Sequence, residues 1–276
     1  MSERGTAGER QFRIAAVQMV SAPDVAANLV TAERLIADAA QRGAMLVVLP
    51  EYFPLVGMNE RDKIAVREKD GAGPMQDFLQ GMAAQYGIWL VGGSVPLEAT
   101  VPDKVRNSCL AYDDRGRRVA RYDKIHLFGF ERGSERYNES ATIEAGAQVV
   151  TFASPLGRVG LSICYDVRFP ELYRGMGEVN LICLPAAFTQ PTGEAHWELL
   201  VRTRAVENQC YLVAAAQGGT HASGRVTFGD TMIVDPWGVV LARLAKGEGV
   251  VTADVDLDRL DSIRASLPAL RHRILI

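Results

Sequence analysis

The segment 157–174, GRVGLSICYDVRFPELYR, constrains the fold of this chain more than any other stretch. Its apolar run 159–163 contains β-branched residues and predicts a short buried strand. Pro170 and Glu171 suit the first turn of a helix. Cys164 therefore follows a buried strand and precedes a helix start, which indicates a sheet with helices packed on it.

Two interpretations of Cys164 stay open on these residues alone. Free cysteine is among the most buried residue types, so Cys164 can be an ordinary core residue. It can also be a nucleophile, because free N–H groups near a helix start favour a thiolate.

Composition excludes several classes of protein. The 276 residues fit one large domain or two small ones, and 48% hydrophobic content is ordinary for a globular protein. The net charge of −3 provides no basic excess, so we expect no nucleic-acid partner. The chain has no apolar run long enough for a bilayer and no apolar signal core in its first residues. We therefore expect no membrane partner and a cytoplasmic location.

The cysteines and histidines indicate neither a metal site nor a disulfide framework. The four cysteines are dispersed and form no CxxC pair, and the four histidines lack metal-ligand spacing. We expect a protein without metal or cofactor and with reduced thiols. The cysteines are Cys109, Cys164, Cys183 and Cys210.

Hydrophobic patterns alternate between strands and helices along the chain. Predicted helices span 24–43, 73–86, 194–209 and 258–266, with a further helix from residue 170. Residues 129–147 are predicted as a polar loop. Hairpin links mixed with helix crossovers favour a layered α/β sandwich over a simple doubly wound sheet. Predicted strands span 12–19, 44–49, 88–94, 107–112, 119–122, 149–152, 159–163, 179–184, 211–216, 231–234, 239–244 and 250–255.

Three groups capable of chemistry follow predicted strands. Glu51 comes after the strand 44–49, Lys124 after a hairpin strand, and Cys164 after the strand 159–163. Ligands bind beyond the carboxyl ends of strands in open α/β sheets. A thiol, a carboxylate and an ammonium supply a nucleophile, a proton carrier and an oxyanion partner for acyl transfer. Residue types alone do not distinguish Glu51 from a helix cap or an ion-pair partner.

Three stretches resemble the signature motifs of the nitrilase, or carbon–nitrogen hydrolase, superfamily. They are LPEYF at 49–53, YDKIHLF at 122–128 and GLSICYDVRFPELYR at 160–174, and the similarity extends over about residues 12–257. The resemblance implies that Glu51 is the general base, Lys124 the oxyanion-stabilising lysine and Cys164 the nucleophile. The ES of YNES matches the second glutamate of the family, which implies a supporting catalytic role for Glu139.

The resemblance also implies the fold and the assembly. The family fold is a four-layer α-β-β-α sandwich, and two copies pair through a helical layer into an eight-layer homodimer. On this basis we expect a disordered segment 1–10, a carbon–nitrogen hydrolase domain 11–257 and a C-terminal extension 258–276 at the dimer interface.

The implied reaction hydrolyses the amide of a small carboxylated molecule and releases ammonia. Cys164 attacks the amide carbon while Glu51 takes its proton, and a thioester forms that water hydrolyses. Lys124 and the backbone N–H of Tyr165 hold the oxyanion. No metal or organic cofactor is implied.

Four further residues are expected to bind the substrate. They lie within the motifs or follow a buried strand, where a pocket is expected. Plain packing is the alternative for two of them, His126 and Phe188, and an ion pair with Glu171 is the alternative for Arg168. The four are His126, Phe188, Tyr52 and Arg168.

The segments 185–219 and 234–243 resemble most closely the branch that hydrolyses deaminated glutathione, and next omega-amidase. One departure is that Gly229, Asp230 and Thr231 stand where the family often has Gly-His-Ser. Other members hydrolyse N-carbamoyl compounds or nitriles, and these activities stay alternatives. A catalytically inactive member that acts as a binding or scaffold protein is the non-enzyme alternative.

Overall fold

The described residues fold into a seven-stranded and a six-stranded β-sheet with helices on their outer faces, and a separate two-stranded hairpin. The structure is a computed structural model that describes residues 10–132 and 135–275. Its helices are α1 (Val25–Gln41), α2 (Asp62–Ala65), α3 (Pro74–Tyr86), α4 (Pro170–Gly175), α5 (Gln190–Asn208) and α6 (Leu257–Ser266), with 3-10 turns at Glu139–Ala141 and Cys164–Arg168. Its strands are β1 (Gln11–Gln18), β2 (Leu46–Val48), β3 (Trp89–Val91), β4 (Val95–Glu98), β5 (Val105–Tyr112), β6 (Arg118–Asp123), β7 (Gly129–Arg132), β8 (Glu135–Asn138), β9 (Thr151–Ser154), β10 (Gly157–Leu161), β11 (Leu181–Ala186), β12 (Tyr211–Ala216), β13 (Thr231–Val234), β14 (Val240–Leu244) and β15 (Gly249–Asp256).

Each sheet has a parallel centre and antiparallel edges. The first sheet has the order β15-β1-β2-β3-β5-β4, with β6 paired to β5, and the second has the order β14-β13-β12-β11-β10-β9. β1, β2 and β3 are mutually parallel, as are β10, β11 and β12. The carboxyl ends of β2 and β10 therefore provide the strand termini at which the polar groups emerge.

Side-chain alternation explains why the first sheet is covered on both faces. Ile14 and Ala16 of β1 belong to the hydrophobic core shared with the second sheet. Ala15 and Val17 belong to the core formed with α1 and α3. Because successive strand residues point to opposite faces, one apolar run fills two layers of core. The layered α/β sandwich predicted from the sequence is thereby confirmed.

The helices that cover the sheets begin and end near the predicted positions. The Asp24 side chain caps α1 by accepting from Ala27 N at 2.9 Å, and α1 buries the stripe Ala32, Leu35, Ile36 and Ala39. On the second sheet, α5 buries Trp197, Val201 and Ala205, and it begins four residues before the predicted position 194.

Three local predictions are wrong. The segment 129–147 is not only a loop, because it contains the β7–β8 hairpin and the 3-10 turn Glu139–Ala141. The strand β4 and the helix α2 were not predicted. Each is only four residues long, which is too short to show a recognisable hydrophobic period.

The predicted domain limits near the two chain ends stay predictions. The predicted disordered segment is residues 1–10, of which 1–9 lie outside the described residues. Arg10 forms ion pairs with Asp258 at 2.6 Å and Asp261 at 2.8 Å. The predicted C-terminal extension starts inside α6, which buries Leu260 and Ile263 against the body of the protein.

Candidate active site

Cys164 opens the 3-10 turn that follows β10. Its φ of 50° is left-handed, which is unusual for a residue with a side chain and costs on the order of 1–3 kcal/mol. The Asp166 carboxylate holds the turn by accepting from Ile163 N at 2.9 Å. The N–H of Ala187, beyond β11, points at the Cys164 Sγ at 3.5 Å. The strained turn therefore aims the thiol away from the core and toward the end of the neighbouring strand.

Glu51 stands three residues beyond β2, and its side chain is 1% exposed. Its Oε1 accepts from the side-chain amide of Asn107 at 2.9 Å and from Lys124 Nζ at 2.9 Å. Its Oε2 is buried and has no hydrogen-bond partner among the described residues. A buried carboxylate oxygen without a donor is poised to take a proton from a neighbouring acid.

Lys124 joins two carboxylates below the thiol. Its Nζ lies 2.9 Å from Glu51 Oε1 and 2.8 Å from Glu139 Oε2, and its side chain is fully buried. Glu139 is fixed in turn by Phe128 N at 2.7 Å and by the Tyr52 hydroxyl at 2.8 Å. Because every member is hydrogen-bonded, the geometry is rigid, as a buried charge network requires.

The close approach of the Gly93 backbone shapes the turn that carries Glu51. A Cβ at Gly93 would lie 2.1 Å from the carbonyl oxygen of Pro50, and φ of Gly93 is 54°. The next residue, Ser94, accepts from Tyr52 N at 3.0 Å through its hydroxyl. Only glycine fits at this contact, so the position of Glu51 depends on it.

The charges around Cys164 act on its pKa in opposite directions. Burial raises the pKa of the Cys164 thiol well above its ordinary value, the Glu51 charge raises it further, and Lys124 lowers it by less. Lys124 lowers the thiol pKa, as a nearby cation should, but burial and the Glu51 charge outweigh it. The resting group is a thiol, and it needs a base for activation.

The pKa values of Lys124 and Glu139 are shifted in opposite directions. Burial alone would lower the pKa of Lys124, but Glu139 and Glu51 raise it above its ordinary value. Burial alone would raise the pKa of Glu139, but Lys124 and the Phe128 N–H lower it. Both shifts favour the charged forms, an ammonium on Lys124 and a carboxylate on Glu139.

Two cavities meet at this site. The inner cavity has about 20 Å³ of free volume and is lined by Glu51, Cys164, Tyr165 and Phe188, among others. The outer cavity has about 490 Å³ and is lined mostly by loop residues that follow β2, β11 and β12, together with residues of α2, β8 and the start of α5. Thr189 and Arg225 line both, so the two cavities adjoin at these residues.

The predicted substrate-binding residues fall in different places. Phe188 and Arg168 line the inner cavity, where the Arg168 guanidinium lies over the Tyr165 ring at 5.7 Å and the Phe188 ring at 5.3 Å. Arg168 contacts His196 Nδ1 at 3.3 Å, and no ion pair joins it to a carboxylate among the described residues. Tyr52 lines the outer cavity, and its hydroxyl bonds to Glu139.

His126 is not brought to either cavity. Its Nδ1 lies 2.7 Å from Asp166 Oδ1, and its ring stacks on Phe169 with centroids 3.7 Å apart. Asp166 also accepts from the Tyr122 hydroxyl at 2.6 Å. His126 therefore supports the Cys164 turn from behind, because the same buried carboxylate bonds both.

Gly229, Asp230 and Thr231, which stand where the family often has Gly-His-Ser, also lie outside both cavities. Asp230 Oδ2 accepts from Arg243 Nη2 at 2.8 Å, and the Asp230 carbonyl accepts from Trp197 Nε1 at 2.8 Å. This stretch anchors α5 and β14 and does not line either cavity.

Sequence reasoning missed several residues that line or hold the site. Asn107 is 2% exposed in the structure. Its polar side chain within a strand that is mostly apolar was a usable signal in the sequence. Asp166 sits two residues after Cys164 but resembled a surface charge. Arg225 stands in a small polar loop, and nothing in that loop indicates a cavity residue.

The described part of the chain contains neither a candidate metal site nor a candidate membrane-spanning helix. Residues 10–132 and 135–275 contain no group of three or more His, Cys, Asp and Glu side chains arranged to hold a metal ion. Within the same ranges, no helix has the length and apolar character needed to cross a bilayer.

Comparison with known proteins identifies the family. The carbon–nitrogen hydrolase model matches residues 13–265. A deaminated glutathione amidase of Synechocystis is 41% identical over 97% of this chain and all of that protein. The omega-amidase NIT2 of Xenopus tropicalis is 38% identical over 95% of each chain.

A solved structure of the same superfamily has the same fold. The crystal structure of Saccharomyces cerevisiae Nit3, a member of branch 10 of the nitrilase superfamily, superimposes with a TM-score of 0.86 and 30% identity, covering 98% of this chain and all of that one. The chain belongs to the carbon–nitrogen hydrolase family of the nitrilase superfamily, as its three motifs predicted.

Proposed function

We propose that this protein is an amidase that cleaves a small carboxylated amide through a thioester on Cys164. One observation carries the proposal: Cys164 and Glu51 line the same cavity, Glu51 keeps one carboxylate oxygen without a partner, and both lie beside a lysine held between two carboxylates. The two amidases compared above act on amides by name.

The first step forms the thioester. Glu51 takes the proton of the Cys164 thiol as Sγ attacks the amide carbon, so the raised thiol pKa is offset within the transition state. The carbonyl becomes an oxyanion. Lys124 has three N–H donors and uses them on Glu51 and Glu139, so a shift of one donor toward the oxyanion, together with the N–H of Tyr165, stabilises the intermediate.

The second step expels the leaving group and hydrolyses the thioester. Glu51 returns the proton to the departing nitrogen, the C–N bond breaks, and an amine or ammonia leaves. Water then donates a proton to Glu51 and attacks the thioester carbon. The C–S bond breaks and Glu51 passes that proton to the departing Sγ, which gives the acid and the Cys164 thiol. Glu139 holds Lys124 in place throughout. The residues of this chain perform each step without a metal or organic cofactor.

The substrate we propose is deaminated glutathione. Its cleaved amide carries the dipeptide cysteinylglycine, so the nitrogen product is an amine rather than the ammonia expected above. The 41% identical relative is named for this activity. The 38% identical omega-amidase favours the alternative of a short ω-amide such as α-ketoglutaramate, which releases ammonia.

One assay separates the two substrates. Purified protein is incubated with deaminated glutathione and with α-ketoglutaramate, and cysteinylglycine and ammonia are measured. A kcat/KM for deaminated glutathione at least tenfold higher supports the proposal, and the reverse order supports an omega-amidase. Cys164→Ala should abolish both activities. Turnover of neither compound by the intact enzyme would leave the N-carbamoyl, nitrile and scaffold alternatives.

The assembly we propose is a homodimer built on an apolar surface of α5 and the turn after β13. Leu199, Val206 and Trp237 are 67%, 47% and 55% exposed, and Arg202 Nε donates to the Gly238 carbonyl at 2.8 Å, which joins the helix to the turn. Exposed apolar residues that cluster mark interfaces. Sedimentation should give a dimer that Trp237→Glu dissociates, and a wild-type monomer would contradict it.

A cytoplasmic location completes the proposal. The four cysteines are free and buried in the structure, which fits a reducing compartment. Cell fractionation with antibody against the protein should place it with soluble cytoplasmic markers.

A further inference from the structure

We propose that Arg225 is the anion-binding residue of this site, holding a carboxylate of the substrate at the junction of the two cavities while the rest of the molecule extends into the outer cavity. The inference rests on the proposed amidase function and specifies the class of its substrate. That class is an anionic amide with a chain too long for the inner cavity.

The position of Arg225 is the first argument. It lines both the inner and the outer cavity. Its Nη2 donates to the carbonyl of Ala187 at 3.3 Å, and the N–H of that same residue points at the Cys164 Sγ at 3.5 Å. One residue therefore links the guanidinium to the nucleophile, and a single small molecule can reach both.

The unsatisfied hydrogen bonding of Arg225 is the second argument. A guanidinium has five N–H donors. The Nε of Arg225 is buried and has no hydrogen-bond partner among the described residues. Its Nη1 lies 3.9 Å from Glu60 Oε1, too far for a hydrogen bond, and Glu60 already accepts from Lys63 Nζ at 2.7 Å. A carboxylate seated against Nε and an Nη would complete a bidentate pair.

The charge and size of the outer cavity are the third argument. The charged residues that line it are Glu60, Lys63 and Arg225, which leaves an excess of one positive charge. Its volume of about 490 Å³ lies within the range of sites for drug-sized ligands, whereas the 20 Å³ of the inner cavity accommodates only the reacting end. The cavities together fit an elongated anion.

A matched pair of probe amides tests the inference. 4-Carbamoylbutanoate carries a carboxylate, and pentanamide has a methyl group in its place. For Arg225→Met, we expect the ratio of kcat/KM for 4-carbamoylbutanoate to that for pentanamide to fall about 10- to 100-fold, mostly through KM, as loss of a charged hydrogen-bond partner predicts. Arg225→Lys should recover part of the ratio, because it restores charge but not the fork.

Controls keep this inference separate from the proposed function. Arg34→Met, which removes an exposed arginine of α1 outside both cavities, should not change the ratio. Calorimetry on Cys164→Ala should show glutarate binding that Arg225→Met in the same background weakens by a similar factor. An unchanged ratio, or an equal loss for both amides, overturns the inference. Turnover that survives in Cys164→Ala overturns the proposed function instead.

Discussion

The inner and outer cavities meet at two residues yet are built in different ways. The inner cavity is formed at strand ends, where Glu51 and Lys124 are about 1% exposed and bonded to each other. The outer cavity is formed mostly by loops, and its Lys63–Glu60 pair is open to solvent on the Glu60 side, which is 54% exposed. We expect the groups beside the strand ends to react and the groups of the outer cavity to select the substrate.

This difference gives an order of expected effects. Changes in the inner cavity should alter the chemical step by orders of magnitude, and changes in the outer cavity should alter binding by small factors. Each of the following experiments sharpens or breaks that contrast.

Glu51→Gln should have the largest effect and should move two readouts in opposite directions. Amide turnover should fall about 10³- to 10⁴-fold, toward the upper range for a lost general base. Alkylation of Cys164 by iodoacetamide at pH 7 should accelerate, since the Glu51 charge that raises the thiol pKa is gone. Mass spectrometry of the labelled peptide gives the rate. Slower alkylation would show that Glu51 does not raise the thiol pKa.

Lys124→Met should come next, and its thiol readout should have the opposite sign. Turnover should fall about 10²- to 10³-fold, the usual loss for one oxyanion donor. The Cys164 pKa should rise further, because Lys124 lowers it in the wild type, so alkylation should slow. Circular dichroism at low temperature checks folding, because the variant leaves two buried carboxylates unpaired. Wild-type turnover would remove Lys124 from the mechanism.

Glu139→Gln should affect stability in a pH-dependent way. The pKa of Glu139 is lowered in the folded protein, so its contribution is present above the unfolded value near 4.3 and is lost as pH falls through the folded pKa. At pH 7 we expect the variant to be about 1–3 kcal/mol less stable. Urea unfolding at pH 7 and at pH 3.5 should show this gap narrowing in acid. A constant gap would contradict the assignment.

Lys63→Met should have the smallest effect. Lys63 is paired with a half-exposed Glu60, and exposed pairs contribute about 0–1 kcal/mol. We expect the KM for an extended anionic amide to rise about two- to fivefold and kcat to stay within twofold. The same variant should not change the kinetics of pentanamide. A fall in kcat of tenfold or more would show that Lys63 affects the chemical step. The outer cavity would then not be limited to substrate binding.

The sequence predicted the inner cavity better than the outer one for a physical reason. Glu51, Lys124 and Cys164 each follow a strand whose apolar pattern is readable, and each lies in a motif with its own spacing. Arg225 comes from a loop between β12 and β13, where no periodicity exists and position depends on contacts such as that with the Ala187 carbonyl. Loop geometry of this kind arises only after the sheets have packed.

The same limit explains the errors about single residues. His126 lies in a catalytic motif, but its contact with Asp166 is tertiary, so its place behind the Cys164 turn was not readable. The rise of the Cys164 thiol pKa was not predicted, because burial, its largest cause, depends on tertiary packing. Neither effect leaves a trace in local sequence.

The narrowness of the inner cavity has a consequence for the order in which products leave. About 20 Å³ is roughly the room that one water molecule needs, so we expect the departing amine to leave through the outer cavity before the hydrolytic water takes its place. Kinetics should be ping-pong, with the acid as a competitive inhibitor and with added amine returning the acyl group to amide.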